Sequence, residues 1–335
     1  MKSIDVFCHL MPERYAELAM KESPNQSHMF MRALKMQAMS DMEYRLEVMS
    51  KFPGYKQIPN IVSPPVELFA SPDKSPKIMA VGNDEIKKIT DENPDYYDGF
   101  IAGIPFNNTI ASVDEIKRCK DMGAKGIQIY AHMNGEAIDQ EKFWPIYEIC
   151  EKLDLPVLIH PVGGQMTPEY PTEDRSMYEL WFLIGWPYQT TVAMCRLAFS
   201  GIFEDFPNLK IVTHHVGAMI PMLEGRIGNG LKMYGGRTAP DLKERLTKTK
   251  LKGNPLDTFK KFYVDTASFG SASAIRCGID FFGRDHVLFA SDMPFDPENG
   301  AGYIDRTLKA IDNLNLSEED RMMILHGNAE RIFYV

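Results

Sequence analysis

Four apolar runs in this chain each end in a residue that can hold a metal ion or move a proton. They are Ile4-Asp5-Val6-Phe7-Cys8-His9, Leu155-Pro156-Val157-Leu158-Ile159-His160, Leu209-Lys210-Ile211-Val212-Thr213-His214-His215 and His286-Val287-Leu288-Phe289-Ala290-Ser291-Asp292. Short apolar runs bounded by turn residues read as buried parallel strands. Side chains at the C-terminal tips of such strands converge only if the tips share one rim, which is where α/β barrels keep their chemistry. There His9, His160, His215 and Asp292 would offer neutral imidazoles and one carboxylate. That set suits Zn²⁺, or Mn²⁺ with further oxygen ligands. A position left open for water or substrate makes the site catalytic, because the cation can activate water or polarise a carboxylate or phenolate oxygen.

The paired histidines are separated by strand geometry. Adjacent strand residues face opposite sides, so one of His214 and His215 is expected in the barrel mouth. The Gly217-x-x-Ile220-Pro221 spacing selects His215. His132, after the fourth strand, lies on the same rim and is expected to contact substrate. Asp265 reads either as a partner for a site residue or as filler of a barrel layer. His28, His286 and His326 read as surface or packing residues. Trp181 and Trp186 read as core or as the roof of an aromatic pocket.

The elements that must position these residues alternate. Strands are expected at 2–10, 57–62, 99–106, 124–130, 155–161, 209–215, 262–266 and 286–291. Helices are expected at 77–90, 112–122, 142–153, 180–200 (broken near Trp186-Pro187), 219–233, 272–282 and 303–313, with a last one starting at Ser317. Such alternation predicts a parallel α/β fold, and eight repeats over this length favour a closed, distorted (β/α)8 TIM barrel forming one domain over 1–335. The segment from about 11 to 56, rich in methionine (Met29, Met31, Met36, Met39, Met42, Met49) and charge, is expected as a helical insertion after strand one. It would pack over the mouth, or line it as a lid. Residues 163–178 read as a rim loop and 235–255 as a solvated polar insertion.

Composition narrows the partners. A net charge of −9 with no basic cluster argues against nucleic acid. Five cysteines without a CxxC pair suggest reduced thiols rather than a disulfide framework. No signal peptide or membrane-length apolar run is visible, so a cytoplasmic protein acting on a small molecule is expected.

The motifs together resemble the amidohydrolase superfamily, in the branch of aminocarboxymuconate-semialdehyde decarboxylase and γ-resorcylate decarboxylase. The resemblance rests on Ile4-Asp5 through Pro12, Leu158-Ile159-His160-Pro161, and Thr213-His214-His215-Val216-Gly217 with Ile220-Pro221 and Gly225-Arg226. Ala290-Ser291-Asp292-Met293-Pro294-Phe295 and Gly327-Asn328-Ala329-Glu330-Arg331 complete it. It implies one divalent metal held by His9, His160 and Asp292, with His215 as a further ligand or acid/base. It also implies non-oxidative decarboxylation of a small aromatic or unsaturated carboxylate, with His215 or Asp292 delivering the proton. A homodimer is expected. One position departs: where this branch carries His-x-His or Glu-x-His on strand one, this chain has Phe7, which cannot ligate. Asp5 is structural in the family. Two alternatives stay open: a metal-dependent hydrolase or hydratase on the same fold and, through the vacancy at Phe7, a metal-free binding protein.

Overall fold

The computed structural model describes residues 2–23, 28–61, 64–245 and 250–335. The expected positions 62–63 at the end of strand two and 246–249 of the polar insertion fall outside them. Twelve strands are present among the described residues: β1 (Ser3–Asp5), β2 (His9–Leu10), β3 (Tyr55–Gln57), β4 (Asn60–Ile61), β5 (Ile101–Gly103), β6 (Gly126–Tyr130), β7 (His132–Met133), β8 (Glu136–Ala137), β9 (Val157–His160), β10 (Ile211–Thr213), β11 (Tyr263–Asp265) and β12 (Val287–Leu288). Six form one parallel sheet in the order β12-β11-β10-β9-β6-β5, while β1 pairs with β3 and β2 with β4, both in parallel. The backbone bonds continue past these sheets. Val6 N donates to Phe289 O, Ile58 N to Asp5 O, and Ile101 N to Pro59 O. Each segment therefore finds partners on both sides, as buried backbone requires.

The interior apolar cluster draws Ile4, Ile101, Leu158, Val212 and Leu288 from five strands, and all are fully buried. Burying each such side chain contributes about 1.5–3 kcal/mol. The outer layer is helical. Ser75–Glu92 has proline in its first turn and buries Ile78, Met79, Gly82 and Ile86, the i, i+3/i+4 spacing of one helix face. Ala272–Phe282 starts at Ser271, whose hydroxyl accepts from Ala274 N, and a capping hydroxyl of this kind satisfies an otherwise orphaned amide.

Between β2 and β3 the chain forms the helices Glu13–Glu22, His28–Ala33, Gln37–Ser40 and Met42–Ser50. Arg45, fully buried, ties this segment to the strands. It donates to the carbonyls of His9 (2.7 Å) and Ala38 (2.9 Å) and to Gln57 Oε1 (3.1 Å from Nε).

Several expected elements differ. Strand one is interrupted between Asp5 and His9, strand two between Gln57 and Asn60, and strand eight stops at Leu288. The 219–233 helix is broken into short turns, Pro221–Leu223, Glu224–Gly228 and Gly230–Met233, because Pro221, Gly225, Gly228 and Gly230 interrupt it. The sixth strand stops at Thr213 rather than His215, and the next turn is left-handed: φ is +57° at His215, +60° at Val216, +71° at Gly217 and +55° at Ala218. Glycine is required in this run, since a Cβ at Gly217 would lie 2.7 Å from the Phe282 ring. His215, Val216 and Ala218, non-glycine residues held at positive φ, carry local strain of the kind that clusters at functional sites.

Candidate metal centre

His9 lies on β2, His160 ends β9, His214 and His215 follow β10, and Asp292 follows β12 after a left-handed φ of +66°. Parallel strands with these tips bring all five side chains together. His9 Nε2 lies 3.0 Å from Asp292 Oδ1, His214 Nε2 lies 3.4 Å from the same oxygen, and His215 Nε2 lies 3.8 Å from Oδ2. The ring of His160 is 5.2 Å from that of His9 and 5.2 Å from that of His214, centre to centre. Ligating atoms of His9, His160 and His214 fall within 4.8 Å of one another, and so do those of His214, His215 and Asp292.

The alternation argument misplaced His214. That argument holds only within a regular strand, and the left-handed turn after Thr213 lets both histidines enter from one side, with ring centres 3.8 Å apart. His214 is fully buried and its Nδ1 forms a short bond to Asp265. Asp265 also accepts from Ala267 N (3.0 Å) and Val216 N (3.3 Å), so its carboxylate is a partner of the site rather than layer filler. Asp5 is spent elsewhere, on Tyr55 Oη (2.6 Å), Phe7 N (3.2 Å) and Ser291. Phe7 stacks on His214, with ring centres 4.1 Å apart and planes 19° from parallel.

Electrostatics mark the same group. Burial alone would push Asp292 up, but the imidazoles of His214, His215 and His9 hold its carboxyl well below the usual range. Burial, then the neighbouring His214 and His9, drives His160 far down. Burial and His214 also lower His215. For His214 burial is outweighed by Asp265 and Asp292, which hold it up at about 9. Several buried nitrogens here, His9 Nδ1, His214 Nε2 and His215 Nδ1, lack a hydrogen-bond partner. Orphaned buried donors of this type call for an explanation, and a cation among them is one that fits their chemistry.

Two cavities open on the cluster and share Phe182, Trp186 and Phe269 in their walls. The larger, about 550 Å³, touches His215 and is otherwise almost wholly apolar. The smaller, about 370 Å³, is lined by Asp292, by aromatic walls including Trp181 and Phe295, and by the polar groups His28, Arg32, Glu179 and Tyr303. The smaller one has the chemistry, because it joins the carboxylate of the cluster to a cation and aromatic faces. The helix Trp186–Ser200, preceded by a π-helical turn at Trp181–Gly185, sets the aromatic roof; such turns recur at functional sites.

His132 stands apart. The β7–β8 hairpin carries it to a third cavity of about 200 Å³ with Tyr188 and Gln189, and its Nδ1 accepts from Gly135 N at 3.1 Å. His286 stacks on Tyr263 and His326 pairs with Glu330, both packing roles. His28, by contrast, lines the smaller cavity with Met29 and Arg32. Sequence reasoning missed His28, Arg32 and Arg45. The cue available for them was their position in a methionine-rich segment expected over the mouth.

Parallel strands whose tips gather histidines and an aspartate beneath an aromatic cavity define an α/β protein built around a candidate cation site. The family model described as Amidohydrolase matches residues 4–335, and the chain belongs to that family. It is 31% identical over 266 residues to 2-amino-3-carboxymuconate-6-semialdehyde decarboxylase of Dictyostelium discoideum, spanning 78% of this chain and 67% of the relative. It is 27% identical over 301 residues to γ-resorcylate decarboxylase of a Polaromonas strain, spanning 86% of each. Among solved structures, a 5-carboxyvanillate decarboxylase from Novosphingobium aromaticivorans with bound manganese superposes with a TM-score of 0.83 at 21% identity, covering 100% of this chain and 97% of that one. These relatives are carboxy-lyases.

Proposed function

We propose that this protein is a divalent-metal-dependent, non-oxidative decarboxylase of a small aromatic or unsaturated carboxylate. The observation that carries the reading is the smaller cavity, where Asp292, within bonding range of His9, shares the lining with Arg32 and aromatic walls. In this reading the strands close as a distorted (β/α)8 barrel in one domain over 1–335, with 11–56 inserted over its mouth. The strand-to-strand bonds on both flanks of β1 and β3 and the shared interior cluster support that closure.

His9, His160 and Asp292 would hold the metal, a role their buried, mutually facing donors fit. Zn²⁺ is expected, with Mn²⁺ as the alternative. A divalent cation there supplies electrostatic stabilisation and orientation of the substrate's oxygens. The chain's own groups do the rest. Arg32 pairs with a carboxylate, and Trp186, Phe182 and Phe269 cover the ring and exclude water. His215, beside Asp292 where the two cavities share the walls of Phe182, Trp186 and Phe269, delivers a proton to the carbon bearing the carboxylate. Burial and the neighbouring His214 disfavour its imidazolium, so a proton taken up there is readily passed on. The carbon–carbon bond then breaks, its electron pair returns to the substrate, and CO₂ leaves. His132 has no part in this scheme.

No helix among the described residues is long and apolar enough to cross a membrane. A homodimer remains part of the proposal, supported by the exposed Met177, Tyr178, Leu183, Ile184 and Tyr188 along one stretch. The test is a panel of hydroxybenzoates and unsaturated dicarboxylates assayed for CO₂ release in ¹⁸O-water by the metal-loaded protein. CO₂ without solvent oxygen in the organic product supports decarboxylation. Solvent oxygen in the product identifies hydrolysis or hydration instead, and absence of bound metal overturns the mechanism.

A further inference from the structure

We propose that His214 supplies the metal ligand that position 7 has lost, with Phe7 pinning its ring and Asp265 setting its tautomer. This deepens the metal reading above and rests on it. Phe7 is fully buried at the rim of strand one and carries no donor atom. Without a donor at position 7, His9, His160 and Asp292 would supply three protein ligands, and a further one from the chain would restore the count that the resemblance implies while a metal of more than four ligands keeps a position for substrate. His214 is the residue common to both groups of converging donors, the one with His9 and His160 and the one with Asp292.

Its own bonding leaves one nitrogen for the cation. Nδ1 is taken by Asp265, whose second oxygen is fixed by the amides of Ala267 and Val216. That keeps a proton on Nδ1, so Nε2 is the nitrogen that would give up its proton and offer its lone pair to a cation. A carboxylate behind a ligating imidazole is the usual way proteins orient such a ligand and raise its basicity. Nε2 is buried, has no hydrogen-bond partner and points at Asp292 Oδ1 from 3.4 Å. A cation about 2.1 Å from each nitrogen donor needs only small ring adjustments to reach donors that lie within 4.8 Å of one another.

The exchange with position 7 is steric as well as chemical. The Phe7 ring lies flat against His214 at 4.1 Å, so the side chain that lost the ligand role now fixes the plane of the one that gained it. A histidine or glutamate at position 7 would direct its donor into the space beside the His214 ring. His215 is not the substitute. Its Nε2 is 3.8 Å from Asp292 Oδ2, and its ring faces Trp186 and Phe269 in the apolar cavity, where a proton donor belongs.

The test reads metal binding rather than turnover. Full-length protein is stripped with chelator, reloaded with Zn²⁺ or Mn²⁺, and titrated against a competing indicator. His214→Ala is expected to bind at least 100-fold more weakly, about 2.7 kcal/mol, while His215→Ala stays within about threefold of wild type. Phe7→His combined with His214→Ala is expected to recover most of the loss. X-ray absorption of the Zn²⁺-loaded wild type should count three imidazoles, a reading that needs no variant to fold. Two imidazoles, or wild-type affinity in a folded His214→Ala, would overturn the assignment while leaving the decarboxylase reading intact. A wild type that takes up no metal overturns both.

Discussion

Glu67 gives the clearest measurable consequence of this architecture. It sits in the turn Val66–Leu68, only 5% exposed, with Oε1 lacking any hydrogen-bond partner. Burial pushes its carboxyl up from 4.5 to about 8. Below pH 4.5 the group is protonated in both folded and unfolded chains and does not affect stability. From there to pH 8 the unfolded chain releases the proton and the folded one keeps it. The folded state then binds more protons, and stability falls as pH rises, by about 1.4 kcal/mol per pH unit. By pH 7 the accumulated cost is about 3 kcal/mol, and above pH 8 it no longer grows. Glu67→Gln removes the titration without changing the shape. Urea unfolding of both proteins in chelator at pH 5, 6, 7 and 8 reads the difference directly. The variant's advantage should grow steadily across this range. Parallel stability curves would refute the account and show that Glu67 is ionised inside the fold.

Three further outcomes follow from the site. Arg32→Gln removes the cation of the smaller cavity, so KM for a carboxylate substrate should rise about 10- to 100-fold with kcat within about threefold and metal content unchanged, since a charged hydrogen bond contributes about 1.5–3 kcal/mol; an unchanged KM would place the carboxylate elsewhere. Arg45→Met orphans the carbonyls of His9 and Ala38 and the Gln57 amide oxygen, and should cost about 3 kcal/mol in urea unfolding; a loss under about 1 kcal/mol would mean these acceptors find water. Chelation should abolish CO₂ release, with recovery on adding Zn²⁺ or Mn²⁺; activity persisting in demetallated protein, verified by elemental analysis, would remove the metal from the scheme.

The sequence by itself determined the alternation of strands and helices and the gathering of His9, His160, His215 and Asp292. Both follow from local signals, apolar runs of strand length and a polar residue where each run stops. It also exposed the departure at Phe7, because one side-chain type without a donor is legible without coordinates. Only the tertiary structure decided what answers that departure. Strand alternation assigned His214 to the far side, but β10 ends two residues earlier than expected, and four successive left-handed residues follow from His215 to Ala218, with both histidines turned inward. The turn there packs Gly217 closely against Phe282, 65 residues away in the chain and invisible to any local pattern. Asp265 was similarly undecided until β11 was placed beside β10. Arg32 and Arg45 acquired roles only when the helices after β2 brought them to the smaller cavity and to the carbonyl of His9. Local patterns fixed which residues stand at the ends of strands; which way their side chains face depended on how distant segments closed around them.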